Sequence, residues 1–421
     1  MKNIVSALDI GSENIKAVIA EVSDDYKPRI LTSVMEESGG IRDGEIVDMT
    51  KASRSIKKTI DQIKNQSEFE PSEYYVSITG NHIKGIDTNG LISTTKKDSS
   101  GVEEPGTINK YHIEKVNEKV EENSMACPLP VDRDILHIFP KEYIVDNRRG
   151  IINPEDLTGR RLEIRAHLTI YSTTAARNLI RCLKKSGVKV KEFVLHSLAS
   201  AYSTLSKDEK EHGTILIDIG ANTTDIIYYS QGKVQYTGFV PQGGKNVTRD
   251  IARMLQISSK TAENLKIENG FAMKEMAPAN KILEIEGLSG YDPFEIEQSR
   301  LAEYIEARMR EIFQEAKVEA NKINTPRVSN PPVVLTGGGA LIKGSARLCE
   351  DVFDTSCKVA RPVNFQGQIE DINSPIFSAG TGMINYARKN TSKNKAQILL
   401  QKAPVNLSFI EKIKNFIDRI M

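Results

Sequence analysis

No stretch of this sequence approaches the roughly 20 consecutive apolar residues that a helix needs to cross a bilayer, which excludes an ordinary membrane-spanning helix. Cysteine is scarce: Cys127, Cys182, Cys349 and Cys357 are scattered, with no Cys-x-x-Cys pair. That excludes a zinc ribbon and a disulfide scaffold and fits a reducing cytosol. Charge of one sign is also missing. The net charge is +1, so no global field draws nucleic acid, and no nucleic-acid partner is expected. A secretory leader is not expected either, because the chain enters a strand at once and its first turn carries Glu13. What is present is length and apolar content. With 421 residues and 39% hydrophobic residues, two or more domains with real cores are expected.

One motif occurs twice. Ile4, Val5, Ala7, Leu8 and Ile10 form an apolar run that reads as a buried strand, followed by the turn Gly11–Ser12–Glu13–Asn14. In the second strand Lys16, Val18 and Glu21 alternate with Ala17, Ile19 and Val22. Downstream, Ile215–Leu216–Ile217–Asp218–Ile219–Gly220 leads into Ala221–Asn222–Thr223 and another strand. Each copy is an apolar strand, Asp-Ile-Gly, a small polar turn and a second strand. Two such hairpins predict two similar halves facing one another. A turn of Gly with Ser or Thr exposes backbone N–H groups that can cradle phosphate oxygens. Asp9 and Asp218, just before the turns, are placed to hold a hydrated Mg²⁺ between them.

Between the copies the texture changes. Strands are expected at 4–10, 15–22, 29–36 and 74–80, with a helix over 50–65 burying Ile56, Ile60 and Ile63. From 82 to about 165 a polar loop, a charged helix over 111–125 and strands at 135–139, 142–145 and 162–164 read as a small α+β insertion. Helices are then expected near 174–185, 196–205, 246–256, 258–269 and 295–324. A strand ends in Gly337–Gly338–Gly339, and a last packed helix starts near Ile376. From 385 to 405 the structure signals fade and the charges are basic.

Two phosphate hairpins with a Gly-Gly-Gly loop resemble the actin-like ATPase superfamily. The stretches Ala7–Ala20, Gly39–Asp48, Ile78–Ile83, Leu195–Tyr202, Asp218–Asp225, Gln242–Ala252, Ala262–Lys266 and Val334–Lys343, with the C-terminal segment, narrow the resemblance to the FtsA family of bacterial cell-division proteins. The resemblance implies a two-lobed, actin-like (ribonuclease H-like) α/β fold with an inserted α+β subdomain and a C-terminal amphipathic helix. On it, 1–81, 166–205 and 371–390 make up subdomain IA and 82–165 subdomain IC. Residues 206–241 and 297–370 make up IIA, 242–296 make up IIB, and a flexible basic linker (391–405) precedes a membrane-targeting helix (406–421). It implies ATP and Mg²⁺ as cofactors. Gly11, Ser12, Glu13, Asn14 and Lys16 would hold phosphates with Gly220, Ala221, Asn222 and Thr223. Asp9 and Asp218 would face the metal. Gly243 and Gly244 would line the cleft, Glu263 and Lys266 would reach the ribose or adenine, and Gly337, Gly338 and Gly339 would underlie the adenosine. On sequence alone Glu263 and Lys266 read equally as a solvated helix face.

One position departs from hydrolysing relatives. Where chaperones carry a Glu and actin a Gln to orient the attacking water, this chain has His196, read here as a packing or capping residue. ATP binding with weak hydrolysis, below about 1 s⁻¹, is the expectation.

At 100° per residue, Phe409, Ile410, Ile413, Phe416, Ile417, Ile420 and Met421 fall within an arc of about 140°. Lys412, Lys414 and Arg419 border that face, where they can snorkel to lipid phosphates, while Glu411 and Asp418 lie near the far pole. Burying these side chains, less the ordering cost, leaves roughly 5–8 kcal/mol, a peripheral attachment to an anionic membrane surface. The resemblance also implies a homopolymer, other divisome partners, and the acidic C-terminal peptide of FtsZ bound at the helix carrying Arg300 and Arg308. It places the protein on the cytoplasmic face of the membrane at the septum. Two other readings share the fold core: a PilM-like type IV pilus adaptor and a sugar- or acetate-kinase-like phosphotransferase.

Overall fold

The structure, a computed structural model, describes residues 3–24, 26–126, 132–287, 292–323, 330–368, 370 and 372–400. In the first sheet β1 (Asn3–Ile10) turns back as β2 (Asn14–Val22), which pairs antiparallel with β3 (Arg29–Glu37). Helix α1 (Met49–Gln66) is capped by the Asp48 carboxylate, which accepts from the N–H groups of Thr50 and Lys51. Its Ile56, Ile60 and Ile63 are buried, as the spacing predicts. β4 (Tyr74–Ile78) then returns parallel to β1.

Next come β5 (Lys84–Ser93), α2 (Lys110–Ala126), β6 (Arg133–Val145), β7 (Arg148–Ile151) and β8 (Arg161–Ser172). They form a separate sheet in the order β7-β6-β8-β5 with its own core around Val116, Leu162, Ile164 and Leu168. The strands read at 135–139 and 142–145 are one strand whose register slips between Pro140 and Glu142. No break falls at 165, because β8 runs through it from insert to lobe. β5 has no counterpart in the sequence reading, since Asp87–Thr88–Asn89–Gly90 dilutes its strand signal. Gly90 is needed there: a Cβ would lie 2.5 Å from the carbonyl oxygen of Val116 on α2.

The chain rejoins the first sheet through α3 (Thr173–Lys185) and β9 (Val190–Leu195), parallel to β4, and then forms α4 (His196–Thr204). The second sheet repeats the design. β10 (Thr214–Ile219), β11 (Thr224–Ser230) and β12 (Lys233–Val240) are successive antiparallel strands. After α5 (Gly244–Leu255), α6 (Ser259–Asn269), the hairpin β13 (Ile282–Ile285)–β14 (Phe294–Glu297) and α7 (Gln298–Ala320), β15 (Val333–Thr336) pairs parallel with β10. Helix α7 starts later than the 295 expected because Phe294–Glu297 is held as a strand by β13. α8 (Ser345–Phe353) and β16 (Cys357–Val359) complete the lobe, and α9 (Ser378–Leu400) crosses back to the first.

Helices α4 and α9 lie between the sheets. One core therefore joins Leu8, Val18 and Val194 of the first lobe to Leu216, Ile227 and Val334 of the second. A second core, built on Ile217, Ile251, Ile305 and Phe313, packs the outer face of the second sheet. The first sheet is covered on both faces, by α1 and α9. For that reason Val18 is buried with its neighbours, and Lys16 is buried on Asp9. Helix α9 continues to Leu400, into the segment read as a linker from 391. The helix expected at 406–421 lies outside the described residues. No helix among the described residues is long and apolar enough to cross a membrane.

Candidate functional site

Both Asp-Ile-Gly turns close in the same way. The Gly11 N–H donates to the Asn14 carbonyl at 3.1 Å, and the Gly220 N–H to the Thr223 carbonyl at 2.8 Å. A Cβ on Gly11 would lie 2.7 Å from that Asn14 oxygen, and one on Gly220 would lie 3.0 Å from the Thr223 oxygen. The glycines are therefore steric requirements of the turns. The turns face each other across a cleft of about 310 Å³, the lower end of the range for small-molecule sites. Its floor is the start of the Gly337–Gly339 loop. Gly337 has φ +83°, and a Cβ there would lie 2.3 Å from the Asp218 carboxylate. Gly243 closes the second turn from behind, with the Gly244 N–H donating to the Gly220 carbonyl at 2.9 Å.

Asp9 is buried. It takes the Lys16 ammonium at 2.8 Å and the Ser77 hydroxyl at 2.6 Å. Burial pushes its pKa up, but Lys16 and His196 together hold it well below the usual carboxylate range. Asp218 accepts from the Ser200 hydroxyl at 2.5 Å. Beside it across the hairpin stands Asp225, buried and accepting from Thr79 of the other lobe at 2.7 and 2.9 Å. Burial pushes the Asp225 carboxyl up to about 6, with Asp218 and Asp9 adding to the rise and His196 and Thr79 opposing it.

His196 is neither a distant packing residue nor a cap. It is the first residue of α4, and its ring lies between the two site carboxylates. Nδ1 is 3.3 Å from Asp9 and Nε2 is 3.2 Å from Asp218. Burial alone would lower its pKa, but the two carboxylates outweigh that and raise it well above the ordinary histidine value. The His196 ring thus stands between the two carboxylates expected to face a metal. Among the described residues no cluster of three or more His, Cys, Asp or Glu side chains is disposed to hold one. Asp9 and Asp218 come together as expected, but with their oxygens already engaged they do not fit a directly ligated Mg²⁺.

The rest of the cleft fits a phosphate-bearing ligand with an apolar end. Asn222 lines it and carries a buried side-chain oxygen with no partner. Ile267, Leu341 and Ile342 line the side near the glycine floor, and Ile267 and Leu341 are exposed. Glu263 and Lys266 are cleft residues, not a solvated face. The Lys266 ammonium is buried and donates to the Gly244 carbonyl (3.1 Å), to Thr248 (2.8 Å) and to Glu263 (2.8 Å). Burial lowers its pKa against the pull of Glu263.

Sequence reasoning missed Ser77, Thr79, Ser200, Asp225 and Lys245, and misread His196. Asp225 was the most findable, as the last residue of the repeated stretch Asp218–Asp225. The others lie on strand ends and helices that reach the cleft only through the fold. Arg300 and Arg308 lie on α7 and do not line the cleft. Arg300 is exposed beside Tyr304 and Glu303, whereas Arg308 is committed to Asp250 at 2.5 Å, Glu311 at 2.7 Å and Gln242 at 3.1 Å. The apolar and basic positions at 409–420 lie outside the described residues.

The family model described as "Cell division protein FtsA" matches residues 215–382, and the one described as "SHS2 domain inserted in FTSA" matches 80–170. Cell division protein FtsA of Borreliella burgdorferi is 34% identical over 99% of this chain and 98% of that protein. FtsA of Bacillus subtilis is 32% identical over 91% of this chain and 83% of its own length, and FtsA of Escherichia coli is 27% identical over 99% and 98%. Among solved structures the chain resembles a PilM-PilN type IV pilus biogenesis complex (TM-score 0.63, 15% identity, 91% of this chain and 98% of that one). It also resembles MreB5 of Spiroplasma citri bound to AMPPNP (TM-score 0.51, 14% identity, 94% and 98%). At those identities the structures speak to the fold alone, which is actin-like with an inserted SHS2 domain. The full-length identity carries the family: this chain belongs to the FtsA family of cell division proteins.

Proposed function

We propose that this chain is a nucleotide-controlled scaffold of cell division. It binds ATP in the cleft, polymerises, and anchors FtsZ filaments to the cytoplasmic membrane at the septum through the segment 406–421, recruiting other divisome proteins there. One observation carries the nucleotide reading: two glycine-closed turns face each other across a single cleft over a glycine floor. Phosphates lie between Gly11–Asn14 with Lys16 and Gly220–Thr223, Gly244 lines the cleft with Gly243 behind the second turn, and the adenosine rests on Gly337–Gly339 near Glu263 and Lys266. The MreB5 neighbour of the same fold was solved with AMPPNP, which supports this reading. Mg²⁺ arriving with ATP would meet Asp9 and Asp218 only through its water shell, outside the gap that His196 fills, and the charge it would supply there would offset the phosphates. Hydrolysis is weak, because His196 is held by two carboxylates and takes no proton from water.

The subdomains follow the same reading: IA, IC, IIA and IIB at the boundaries given by the sequence, with β8 running across the boundary at 165. The acidic FtsZ peptide docks at the exposed end of α7, where Arg300 is accessible and Arg308 is already paired. The deciding experiment is co-sedimentation of the full chain, with ATP and FtsZ, on anionic liposomes. The full chain is expected to carry FtsZ into the pellet, and the chain lacking 406–421 to leave both in the supernatant. Pelleting of the truncated chain would remove the tail from the mechanism. A PilM-like adaptor, the fold's other reading, would leave FtsZ in the supernatant in both cases.

A further inference from the structure

Four cationic side chains line the cleft: Lys16, His196, Lys245 and Lys266. Three are committed. Lys16 is buried on Asp9, His196 lies between Asp9 and Asp218, and Lys266 makes three hydrogen bonds. Lys245 differs. Its side chain is about two-fifths exposed and pairs with Glu13, whose side chain is about one-third exposed. The pair spans the cleft mouth. Lys245 is the second residue of α5, and its N–H donates to the Ala221 carbonyl of the second turn at 2.7 Å. Glu13 belongs to the first turn, and its carbonyl accepts from the Ser38 N–H at 2.8 Å. Both backbones are fixed on the two turns, so only the side chains have to move to make or break the pair.

Glu13 is an odd residue for a phosphate turn. Its carboxylate lines the cleft and would repel a polyphosphate unless neutralised. Lys245 neutralises it from the opposite lobe. A half-exposed ion pair of this kind is marginal in strength. A phosphate chain offers Lys245 several anionic oxygens and stronger, charge-assisted hydrogen bonds.

We propose that the Glu13–Lys245 ion pair is a charge gate across the cleft mouth, opened when the phosphates of a nucleotide take Lys245 away from Glu13. Lys245 is then a specificity-determining residue for phosphorylated ligands, and Glu13 is the competitor that it leaves. The gate rests on the nucleotide reading above. Because the pair joins the two turns, the same exchange removes one direct link between the lobes as the ligand enters.

The test is equilibrium binding of ATP and ADP to the full-length chain and to Lys245→Gln, Glu13→Gln and the double variant, with folding followed by thermal unfolding. Lys245→Gln is expected to weaken both ligands by about tenfold, the worth of one charge-assisted hydrogen bond. Glu13→Gln is expected to tighten both by about threefold, because the competitor is gone. In the double variant that gain disappears, since there is no ammonium left to release. The opposite signs keep the result independent of a general loss of folding. A wild-type chain that binds ATP, with both single variants unchanged, overturns the gate and leaves the nucleotide reading standing. So does a Glu13→Gln gain that survives in the double variant, which reduces Glu13 to a simple repulsive charge. A folded wild-type chain that binds neither nucleotide overturns both.

Discussion

In the first hairpin Asp9 faces Lys16 across the strands; at the same register in the second, Asp218 faces Asp225. The backbones are alike, with the same glycine, the same turn hydrogen bond and the same steric reason for the glycine. The electrostatics are opposite. At this register the first hairpin pairs a carboxylate with its own lysine, while the second brings two buried carboxylates side by side and has to borrow compensation. It takes Thr79 from the end of β4 and His196 and Ser200 from α4, all outside its own sheet. A repeated motif therefore fixes a repeated backbone without fixing a repeated chemistry. The second half of this cleft depends on contacts from the first lobe and from the helix between the lobes.

The comparison breaks most easily at His196, the cation both hairpins share. His196→Ala should cost about 3–5 kcal/mol in urea unfolding, the usual result of leaving buried carboxylates without a partner. Added Mg²⁺ should recover part of that loss in the variant and little in the wild type, because only the variant has room between Asp9 and Asp218. A loss under about 1 kcal/mol would mean that each hairpin is balanced without the imidazole.

Next in size, Lys16→Met should cost about 3 kcal/mol, since it strips the first hairpin of its internal partner. Asp225→Asn should move stability the other way, by about 2 kcal/mol at pH 7.5, while keeping an acceptor for Thr79. The sign follows from the proton balance. The Asp225 carboxyl is raised to about 6 in the folded chain against its ordinary 3.8, so its ionisation costs stability above pH 6. That cost shrinks as pH falls through 6 and is gone below about 4. The gain from Asp225→Asn, taken as the difference in unfolding free energy from wild type, should therefore be full at pH 7.5 and small at pH 4.5. A pH-independent difference would place the Asp225 effect in packing instead.

The smallest effects separate the hydroxyl partners. Ser77→Ala should cost about 2 kcal/mol, because Ser77 donates to Asp9 and accepts the Ile10 N–H at 3.2 Å. Ser200→Ala removes a single hydrogen bond to Asp218 and should cost about 1 kcal/mol. The reverse order, read by the same unfolding curves, would mean that the second hairpin leans on α4 more heavily than on its other partners.

Much of the fold was legible along the chain. The apolar runs of β1, β10 and β15, the Ile56–Ile60–Ile63 face of α1 and the glycines at both turns are local signals, and each falls where the spacing places it. Misplaced features share a cause. Alternation along β2 says little about its burial, because α1 and α9 leave this sheet no wet face. The start of α7 looked helical because nothing local announces that β13 will hold Phe294–Glu297 as a strand. β5 has no counterpart in the sequence reading because its strand character comes from ten residues of pairing with β8 rather than from its own side chains.

The sequence by itself determined the two Asp-Ile-Gly turns, their glycine floor and the family to which they belong, since turn chemistry is written in consecutive residues. Tertiary structure alone decided what surrounds the carboxylates. Ser77 lies 68 positions from Asp9 and reaches it because β4 pairs with β1, whereas Thr79 lies 146 positions from Asp225 and meets it only because the two lobes pack on α4 and α9. His196 shows the physical reason most directly. A histidine at the start of a helix has no fixed charge, and here it gains one because the fold buries it between two aspartates from opposite lobes.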